Sequence, residues 1–368
     1  MEHTKQHVFI KTFISIMKTD IIDDMTTESI MKKFENADGS FDEIKKDFVI
    51  DRNTEYPDPE YLIEIGGVPT MPKGNLVAIS AKWKNGKTFF CDILSAIFLG
   101  SNQFASCCSL QQAGRALFFD TEQADTDTKR IQATIDKMTP ENRHQDFDVY
   151  CLRKAGIDSD EEGETISRYE IIVRAIEHDH PDLVIIDGIA DLIYNYNDVY
   201  ESQTMVNKLA TLAAEHNCCI VVVMHQNKGK QDKTMKGHIG TMLYQKASDV
   251  FNIEKHGPLF IATHTVSRHR QCDDIAFKLD ERAVPMDAVA DRQLQSDIEH
   301  RQELGNIRDQ FVDLFPADGT PVLRKTVVDG LVKNLGIKAS KAYQILKNAE
   351  KLQLITRKPA NKLVLNPF

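Results

Sequence analysis

The sequence predicts a mixed α/β protein with a mostly parallel central sheet and a small additional domain at its C-terminal end. From Tyr61 to about Pro285, short apolar runs alternate with longer segments, as strands and helices do in parallel sheets. One of these runs leads through a short polar loop directly into an apolar helical segment, Phe89 to Leu99. Beyond residue 303 the pattern changes to short amphipathic helices and a hairpin.

Length and composition limit the class of protein. The 368 residues are enough for two or three domains. A hydrophobic content of 42% with 27% charged residues is typical of a soluble globular protein. No apolar run reaches membrane-spanning length and the start has no signal-peptide pattern, so we expect a cytoplasmic protein without membrane contacts. The seven cysteines lack Cys-x-x-Cys spacing and are expected to be reduced thiols.

Four segments differ in their patterns. Residues 1–60 are predicted to be an N-terminal extension, with candidate helices at Val8–Met17 and Ser29–Phe34 and a polar, Pro-rich end. Residues 61–285 form the α/β domain, and residues 286–303 are a polar linker or an exposed helix. Residues 304–368 form the C-terminal domain.

Eight apolar runs of the α/β domain are predicted to be strands. They are Leu76–Ser80, Ala116–Asp120, Asp148–Leu152, Leu183–Asp187, Ile220–His225, Val250–Glu254, Leu259–Val266 and Ile275–Leu279. Short turns separate the last three, which favours an antiparallel edge. A helix is predicted over Ser202–Glu215 because its apolar residues share one face.

The first predicted strand is followed by a loop that closes on Gly86-Lys87-Thr88, and then by the apolar helix. This is the arrangement of a phosphate-binding loop, in which backbone N–H groups and a helix N-terminus hold phosphate oxygens. We expect Lys87 to contact the β- and γ-phosphates of ATP and the Thr88 hydroxyl to bind Mg²⁺. The residues expected around the nucleotide are Ala81, Lys82, Trp83, Lys84, Asn85, Gly86, Lys87, Thr88 and Phe89.

This loop departs from the usual pattern at its first position, where Ala81 replaces glycine. Alanine tolerates most turns with negative φ, so phosphate binding should survive, whereas its Cβ atom limits close approach of the backbone. The alternative interpretation is that Gly-Lys-Thr occurs by chance on a surface turn.

Two acidic residues follow apolar strands downstream of the loop. Asp187 ends the run Leu183–Asp187, where its carboxylate can hold the water shell of Mg²⁺ at the carboxyl edge of the sheet. Glu122 lies just beyond the strand that ends at Asp120, where a carboxylate can polarise the water that attacks the γ-phosphate. The alternative for Glu122 is a solvated loop residue.

A further strand ends in His225 and Gln226, whose side chains can sense the γ-phosphate. The next loop has four lysines that are expected to contact a DNA or RNA backbone: Lys228, Lys230, Lys233 and Lys236. The alternative is an ordinary solvated loop. Arg268 and Arg270 follow the seventh predicted strand, and such a pair can stabilise charge on a phosphate across a subunit interface. A structural salt bridge at the sheet edge is the alternative for the arginines.

In this order, the motifs resemble those of RecA-like P-loop ATPases, and in particular the hexameric helicases of the RepA and DnaB type carried by mobile elements. The resemblance covers about Tyr61 to Pro285. It implies a RecA-like core that hydrolyses ATP with Mg²⁺ between the subunits of a homo-oligomer, which is a hexamer in those helicases. The implied roles are catalytic carboxylate for Glu122, magnesium ligand for Asp187, phosphate sensor for Gln226 with His225 beside it, single-stranded DNA contacts for the loop up to Gly240, and arginine fingers for Arg268 and Arg270.

The C-terminal segment is the basic part of an acidic chain. The net charge is −10, but Arg301 to Phe368 contains twelve Lys and Arg against six Asp and Glu, a net charge of +6. Thr326 and Ser340 are predicted to cap helices, Gly336 to end the first of them, and Leu354–Lys358 to pair with Lys362–Leu365. Three helices followed by a hairpin resemble a winged helix-turn-helix.

This C-terminal domain is expected to bind duplex DNA, because its positive charge is local. The residues expected to meet phosphates and base edges are Lys341, Gln344, Lys347, Asn348, Arg357, Lys358 and Lys362. The alternative is that the domain docks onto another protein.

Three functions are consistent with these features. The first is a DNA-associated ATPase motor, a ring-forming helicase or a helicase loader in the replication or transfer of a mobile element. The second is an ATP-switched DNA-binding regulator or adaptor that does not unwind DNA. The third is a recombination mediator that coats single strands as a filament.

Overall fold

The computed structural model describes residues 57–158, 166–229, 232–316 and 318–366, with a few residues between 45 and 55. The chain divides into two units, Met1–Asp58 and Pro59–Phe368. The second unit carries all the strands and helices whose bounds are given below. The predicted helices Val8–Met17 and Ser29–Phe34 lie outside the described residues.

Strands and helices alternate along most of the second unit. The strands are β1 (Tyr61–Ile65), β2 (Val68–Pro72), β3 (Asn75–Ala81), β4 (Cys107–Ser109), β5 (Ala116–Asp120), β6 (Phe147–Cys151), β7 (Leu183–Asp187), β8 (Cys219–His225), β9 (Asp249–His256), β10 (Leu259–Ser267), β11 (Ile275–Leu279), β12 (Pro285–Asp287), β13 (Val322–Leu323), β14 (Ile355–Lys358) and β15 (Lys362–Leu365). The α-helices are α1 (Lys87–Phe98), α2 (Asp125–Met138), α3 (Arg168–Asp179), α4 (Val199–Glu215), α5 (Gly237–Lys246), α6 (Val289–Val312), α7 (Arg324–Leu335) and α8 (Ala339–Lys351).

The central sheet has the order β12-β11-β10-β9-β3-β8-β7-β5-β6. The six strands from β9 to β6 are parallel, whereas β10, β11 and β12 extend the sheet in antiparallel fashion from β9. The predicted α/β fold with a mostly parallel sheet is therefore confirmed. All eight predicted strands are present, and their bounds agree with the structure to within two residues.

Helices cover both faces of this sheet because its parallel strands are apolar on both sides. On β3, Val77 and Ile79 belong to the core under α1 and α2, whereas Leu76 and Ala78 belong to the core under α3, α4 and α5. The other parallel strands alternate in the same way, since successive side chains of a strand point to opposite faces. The result is a three-layer α/β/α arrangement that fixes the carboxyl ends of the parallel strands at one edge.

A small antiparallel sheet, β2-β1-β4, lies beside α1 and was not predicted. Its strands are short, and β2 contains two prolines, which weakens the strand pattern. Asp249 ties this sheet to the central one, because its carboxylate accepts a hydrogen bond from the backbone N–H of Met71 at 3.3 Å and lies 3.0 Å from Nε2 of the buried His264.

The C-terminal elements have their own apolar core, which includes Phe311, Leu331 and Leu346. Most of the segment predicted as a linker or an exposed helix, residues 286–303, belongs to one continuous helix, α6, which extends to Val312. The predicted hairpin is present as β14 and β15, which pair with each other, and β13 also pairs with β15. Gly336 ends α7 in the left-handed conformation, as predicted.

The two predicted helix caps are wrong. Helix α7 begins at Arg324, two residues before Thr326, because β13 pairs with β15 up to Leu323 and the chain turns into the helix directly from that strand. Helix α8 begins at Ala339, so Ser340 lies inside its first turn. Among the described residues, no helix has the length and apolar character needed to cross a bilayer.

Candidate active site

Four neighbouring strands bring the predicted site residues to one edge of the sheet. Asp120, the last residue of β5, pairs with Asp187, the last residue of β7. Ala81 at the end of β3 pairs with His225 at the end of β8. A cavity of about 390 Å³ opens at this edge, and Lys87, Glu122, Asp187 and His225 all line it. The register of these four strands therefore brings the predicted side chains together.

The loop between β3 and α1 requires glycine at one position. Gly86 has φ of +81°, and a Cβ atom there would lie 2.7 Å from the ring of Phe260. Its carbonyl accepts a hydrogen bond from the N–H of Phe90 at 3.0 Å, which starts the hydrogen bonding of α1. A larger residue at Gly86 would be strained in conformation and would push Phe260 away.

Ala81 does not need to be glycine in this chain. It is fully buried at the end of β3, and its carbonyl accepts a hydrogen bond from the N–H of Gln226 at 2.9 Å. A residue paired in a strand has an extended backbone that alanine adopts without strain. Alanine is therefore compatible with the backbone at the first position of the loop.

Lys87 and His225 are joined by a hydrogen bond. The Nζ atom of Lys87 lies 3.1 Å from Nδ1 of His225, and because an ammonium group only donates, Nδ1 is the acceptor. The ring proton is then on Nε2, which lies 3.8 Å from Oε1 of Glu122. Burial lowers the pKa of Lys87, and the carboxylates of Asp187 and Glu122 act against that shift.

Thr88 and Asp187 form the second contact pair. The Thr88 hydroxyl donates a hydrogen bond to Oδ2 of Asp187 at 2.5 Å. Burial raises the pKa of Asp187 from 3.8 to about 6, and the neighbouring carboxylates of Asp120 and Glu122 act in the same direction, whereas the Thr88 hydrogen bond opposes it. The pKa of Asp187 is therefore raised because the site supplies too little positive charge to balance this carboxylate.

Glu122 is held by a residue that the sequence did not single out. The buried Asp120 accepts hydrogen bonds on Oδ1 from the backbone N–H groups of Glu122 and Gln123, at 3.1 and 3.0 Å, and on Oδ2 from the Thr128 hydroxyl at 2.7 Å. The nearby His225 ring lowers the pKa of Glu122 more than burial raises it. The side chain of Glu122 is thus an ionised carboxylate, 55% exposed, at the mouth of the cavity.

Comparison with protein families identifies the core. A family model described as an AAA domain, AAA_25, matches residues 40–231, which is just over half of the chain and includes Lys87, Glu122, Asp187 and His225. The chain belongs to this AAA domain family. It is a P-loop ATPase with a RecA-like core. No curated protein matches the chain significantly.

Within this AAA domain, most of the predicted nucleotide contacts line the cavity, but Gln226 does not. Trp83, Lys84, Gly86, Lys87, Thr88 and Phe89 line it, whereas Lys82 and Asn85 form the turn of the loop, with the Asn85 N–H donating to the Lys82 carbonyl at 3.2 Å. The buried side chain of Gln226 donates from Nε2 to the Ser80 hydroxyl at 3.1 Å, away from the cavity. His225, one residue earlier, faces the cavity because successive strand residues point to opposite faces.

Neither predicted arginine reaches the cavity of its own chain. The register of β9 places Ser267, the residue before Arg268, level with Val77, near the beginning of β3. The phosphate-binding loop begins at the other end of β3. Arg268 donates a hydrogen bond to the Lys246 carbonyl at 2.7 Å, and Arg270 is exposed.

Two lysines of the loop after β8 have partners within the chain. Lys233 forms an ion pair with Glu254, and Nζ of Lys236 lies 4.5 Å from the centre of the Tyr196 ring. Lys228 is exposed, and Lys230 lies outside the described residues. The loop is closed at its base by a hydrogen bond from the Lys236 N–H to the His225 carbonyl at 2.8 Å.

In the C-terminal elements, the exposed face of α8 is as predicted. Its exposed residues Lys341, Gln344, Lys347, Asn348 and Lys351 line a shallow depression of about 550 Å³. Lys358 and Lys362 are exposed and pair across the hairpin. Arg357 differs, because its guanidinium donates two hydrogen bonds to Glu350, at 3.0 and 2.8 Å.

The raised pKa of Asp187 predicts a pH-dependent stability. An acid whose pKa rises on folding holds its proton more tightly in the folded state, so the free energy of unfolding falls as pH increases from about 3.8 to about 6. Relative to Asp187→Asn, the nucleotide-free wild-type protein should lose about 2 kcal/mol over this interval. Urea unfolding across the interval measures the difference. Substitution of the exposed Asp309 by Asn is the control, and an equal slope in wild type and Asp187→Asn would contradict the prediction.

Proposed function

We propose that this P-loop ATPase is a DNA-associated motor that hydrolyses ATP at the interfaces of a homo-oligomer, as helicases of the RepA and DnaB type do. The observation that supports it is the convergence of Lys87, Thr88, Glu122, Asp187 and His225 in one cavity that contains no arginine among the described residues, while Arg268 and Arg270 lie at the opposite edge of the same sheet. Each copy would thus hold a nucleotide and offer arginines to the next.

The residues of the cavity fit a magnesium ion. Thr88 and Asp187 present a hydroxyl and a carboxylate oxygen 2.5 Å apart, and both are hard oxygen ligands of the kind that Mg²⁺ prefers. The described residues contain no cluster of three or more His, Cys, Asp or Glu side chains that would hold a metal without help, so the remaining ligands would be phosphate oxygens and water. An ion bound by Thr88 and Asp187 would neutralise phosphate charge.

The catalytic step follows from the positions of Glu122 and Lys87. Glu122 is an ionised carboxylate at the mouth of the cavity, where it accepts a proton from the attacking water as general base. Lys87 leaves His225 to contact the phosphates. His225 lines the same cavity with its ring proton on Nε2, so it would be the phosphate sensor of the two residues, His225 and Gln226, for which the sequence left that role open.

A signal from the nucleotide would reach DNA through the loop after β8. Its base is hydrogen-bonded to the backbone of His225, so movement of His225 is passed to the loop that carries Lys228, Lys233 and Lys236. Single-stranded DNA would contact these lysines, and duplex DNA would contact the basic face of a C-terminal winged helix. ATP-dependent strand displacement by the purified protein is the test of the motor, and ATP-dependent DNA binding without displacement would favour the switch.

Loss of the phosphate-binding lysine should abolish hydrolysis. Lys87→Ala removes the ammonium group that contacts the β- and γ-phosphates, while Glu122→Gln should keep ATP binding and slow hydrolysis at least about 10²-fold. Phosphate release and nucleotide binding are measured on both variants. Lys129→Ala removes an exposed lysine of α2 that lines no site cavity, and it should behave as wild type. Unchanged hydrolysis in Lys87→Ala would remove the basis of the proposal.

Mixing two inactive variants tests whether the arginines act on a neighbouring copy. Lys87→Ala lacks a functional nucleotide site, and the double variant Arg268→Ala, Arg270→Ala lacks the arginines. In a random equal mixture, about a quarter of the interfaces would combine an intact site with intact arginines. Hydrolysis should therefore reappear on mixing. Mixtures as inactive as the separate proteins would show that the arginines do not serve a neighbour.

Duplex DNA binding should depend on the exposed face of α8. Lys341→Ala and Lys347→Ala should each weaken binding across all sequences and reduce the slope of log affinity against log salt by about one, because each removes one phosphate contact. Lys333→Ala, an exposed lysine of α7, is the matched control. Fluorescence anisotropy over a salt series measures the slopes, and identical slopes in all three variants and wild type would exclude this face.

A further inference from the structure

A hydroxyl group joins two turns beside the active-site cavity. Thr121 immediately precedes Glu122 in the turn after β5, and it is 2% exposed. Its Oγ1 atom lies 2.8 Å from Oδ2 of Asp191, which belongs to a short helical turn, Ile189–Leu192, that follows β7. The backbone N–H of Thr121 also donates to the carbonyl of Asp187, the last residue of β7, at 3.3 Å. The turn that carries Glu122 is therefore held against the turn that follows Asp187.

The Thr121 hydroxyl has three oxygens within reach, and its single hydrogen goes to Asp191. The carbonyl oxygens of Asp187 and Gly188 lie 2.9 and 3.2 Å from Oγ1. Each of these carbonyls already accepts a hydrogen bond from a backbone N–H group, at 3.3 and 3.0 Å. The Asp191 carboxyl group is nearer, and the described residues bring no other hydrogen-bond donor to it. A carboxylate is also a stronger acceptor than a neutral carbonyl.

The two turns pack too closely for a side chain at Gly188. This residue has φ of +116°, and a Cβ atom there would overlap Oγ1 of Thr121 and lie 3.1 Å from Oδ2 of Asp191. The same Cβ atom would lie 3.5 Å from Cγ of Glu122. The glycine therefore leaves the space in which Thr121 and Asp191 meet beside Glu122.

The turn that carries Asp191 is itself held by an arginine. Arg168, the first residue of α3, donates a hydrogen bond to the Asp191 carbonyl at 2.7 Å. It also donates to the carbonyl of Leu152, just after β6, at 3.2 Å. One guanidinium group thus joins the chain after β6 to the chain after β7. Asp191 is therefore a fixed point against which the turn of Glu122 is placed.

The Asp191 carboxyl group is electrostatically coupled to the active site, although it does not line the cavity. Burial raises the pKa of Asp191, and the Glu122 carboxylate acts in the same direction. The Thr121 hydrogen bond, Arg168 and His225 oppose that shift. The charges of Asp191 and Glu122 therefore affect each other, and a hydrogen bond that fixes Asp191 also fixes the electric field at Glu122.

We propose that Thr121 and Asp191 are positioning residues that hold Glu122 at the mouth of the active-site cavity. This role rests on the proposed function, since it assumes that Glu122 is the general base. Asp120 already holds the same turn through the backbone N–H groups of Glu122 and Gln123. Thr121 and Asp191 hold it at a second point, so the exposed side chain of Glu122 extends from a backbone that is fixed twice.

Paired substitutions test this role. Asp191→Ala and Thr121→Val remove the hydrogen bond and should each lower kcat about tenfold, because the base is displaced. The KM for ATP should stay within about twofold, since the phosphate-binding loop is untouched. Asp191→Asn keeps an acceptor and Thr121→Ser keeps a hydroxyl, so both should retain kcat to within about threefold of wild type. Steady-state ATP hydrolysis and thermal unfolding are measured on all four variants.

Thr70→Val is the matched control, because it also removes a buried threonine hydroxyl. That hydroxyl donates to the Ile63 carbonyl at 3.3 Å in the small antiparallel sheet, and its loss should leave kcat unchanged. Wild-type kcat in Asp191→Ala or Thr121→Val overturns the proposal, as does an equal loss in the alanine or valine variant and its conservative counterpart. The two Thr121 variants carry the same test if Asp191→Ala does not fold.

Combination with Glu122→Gln separates this inference from the function on which it rests. Because Asp191 acts through Glu122, Asp191→Ala should cause little further loss of hydrolysis when Glu122 is already glutamine. A further loss of about tenfold in that background would show that Asp191 acts on another group and would refute its positioning role. If Glu122→Gln hydrolyses ATP as fast as wild type, the general base of the proposed function is wrong and this inference fails with it. If Glu122→Gln is slow and Asp191→Ala is as fast as wild type, only this inference fails.

Discussion

Asp120 and Asp187 are buried carboxyl groups that end the neighbouring strands β5 and β7 at the same level of the central sheet. The arrangement of the active site depends on the hydrogen bonds that each carboxyl group accepts. Asp120 receives three hydrogen bonds, from two backbone N–H groups and from Thr128. Asp187 receives one from Thr88, and burial beside other carboxylates raises its pKa to about 6. The satisfied carboxylate shapes the loop that carries Glu122. Asp187 has one such donor and keeps a raised pKa.

His225 lies between Lys87 and Glu122 in the active site. Its Nδ1 atom accepts from Lys87, which leaves the Nε2 proton facing Glu122. Any ligand that draws Lys87 away frees His225, and the lost contact alters the surroundings of Glu122 at the same time. The loop after β8 is hydrogen-bonded to the His225 backbone, so the residue whose side chain contacts Lys87 also holds the base of the loop.

The sequence was informative wherever local pattern and strand register agree. The apolar runs that end in a polar residue predicted the positions of β3, β5, β7 and β8. They therefore also predicted the edge of the sheet at which Lys87, Glu122 and Asp187 meet. The sequence did not decide which of two adjacent polar residues faces the cavity. His225 and Gln226 are adjacent and both polar, and only the register of β8 decides that His225 faces the cavity and Gln226 the Ser80 hydroxyl. Asp120 was overlooked although, like Asp187, it ends an apolar strand.

The antiparallel extension of the sheet explains why Arg268 and Arg270 lie away from the cavity of their own chain. From β9 the chain reverses into β10, so the residues that follow β10 emerge at the edge opposite the phosphate-binding loop. A parallel strand in the same place would have ended at the edge of the sheet where the phosphate-binding loop begins. The reversal instead separates the two arginines from that loop by most of the length of β3, which is about 13 Å for four residues of strand. Under the proposed function, Arg268 and Arg270 would act on the nucleotide of a second copy of the chain, and both arginines are exposed.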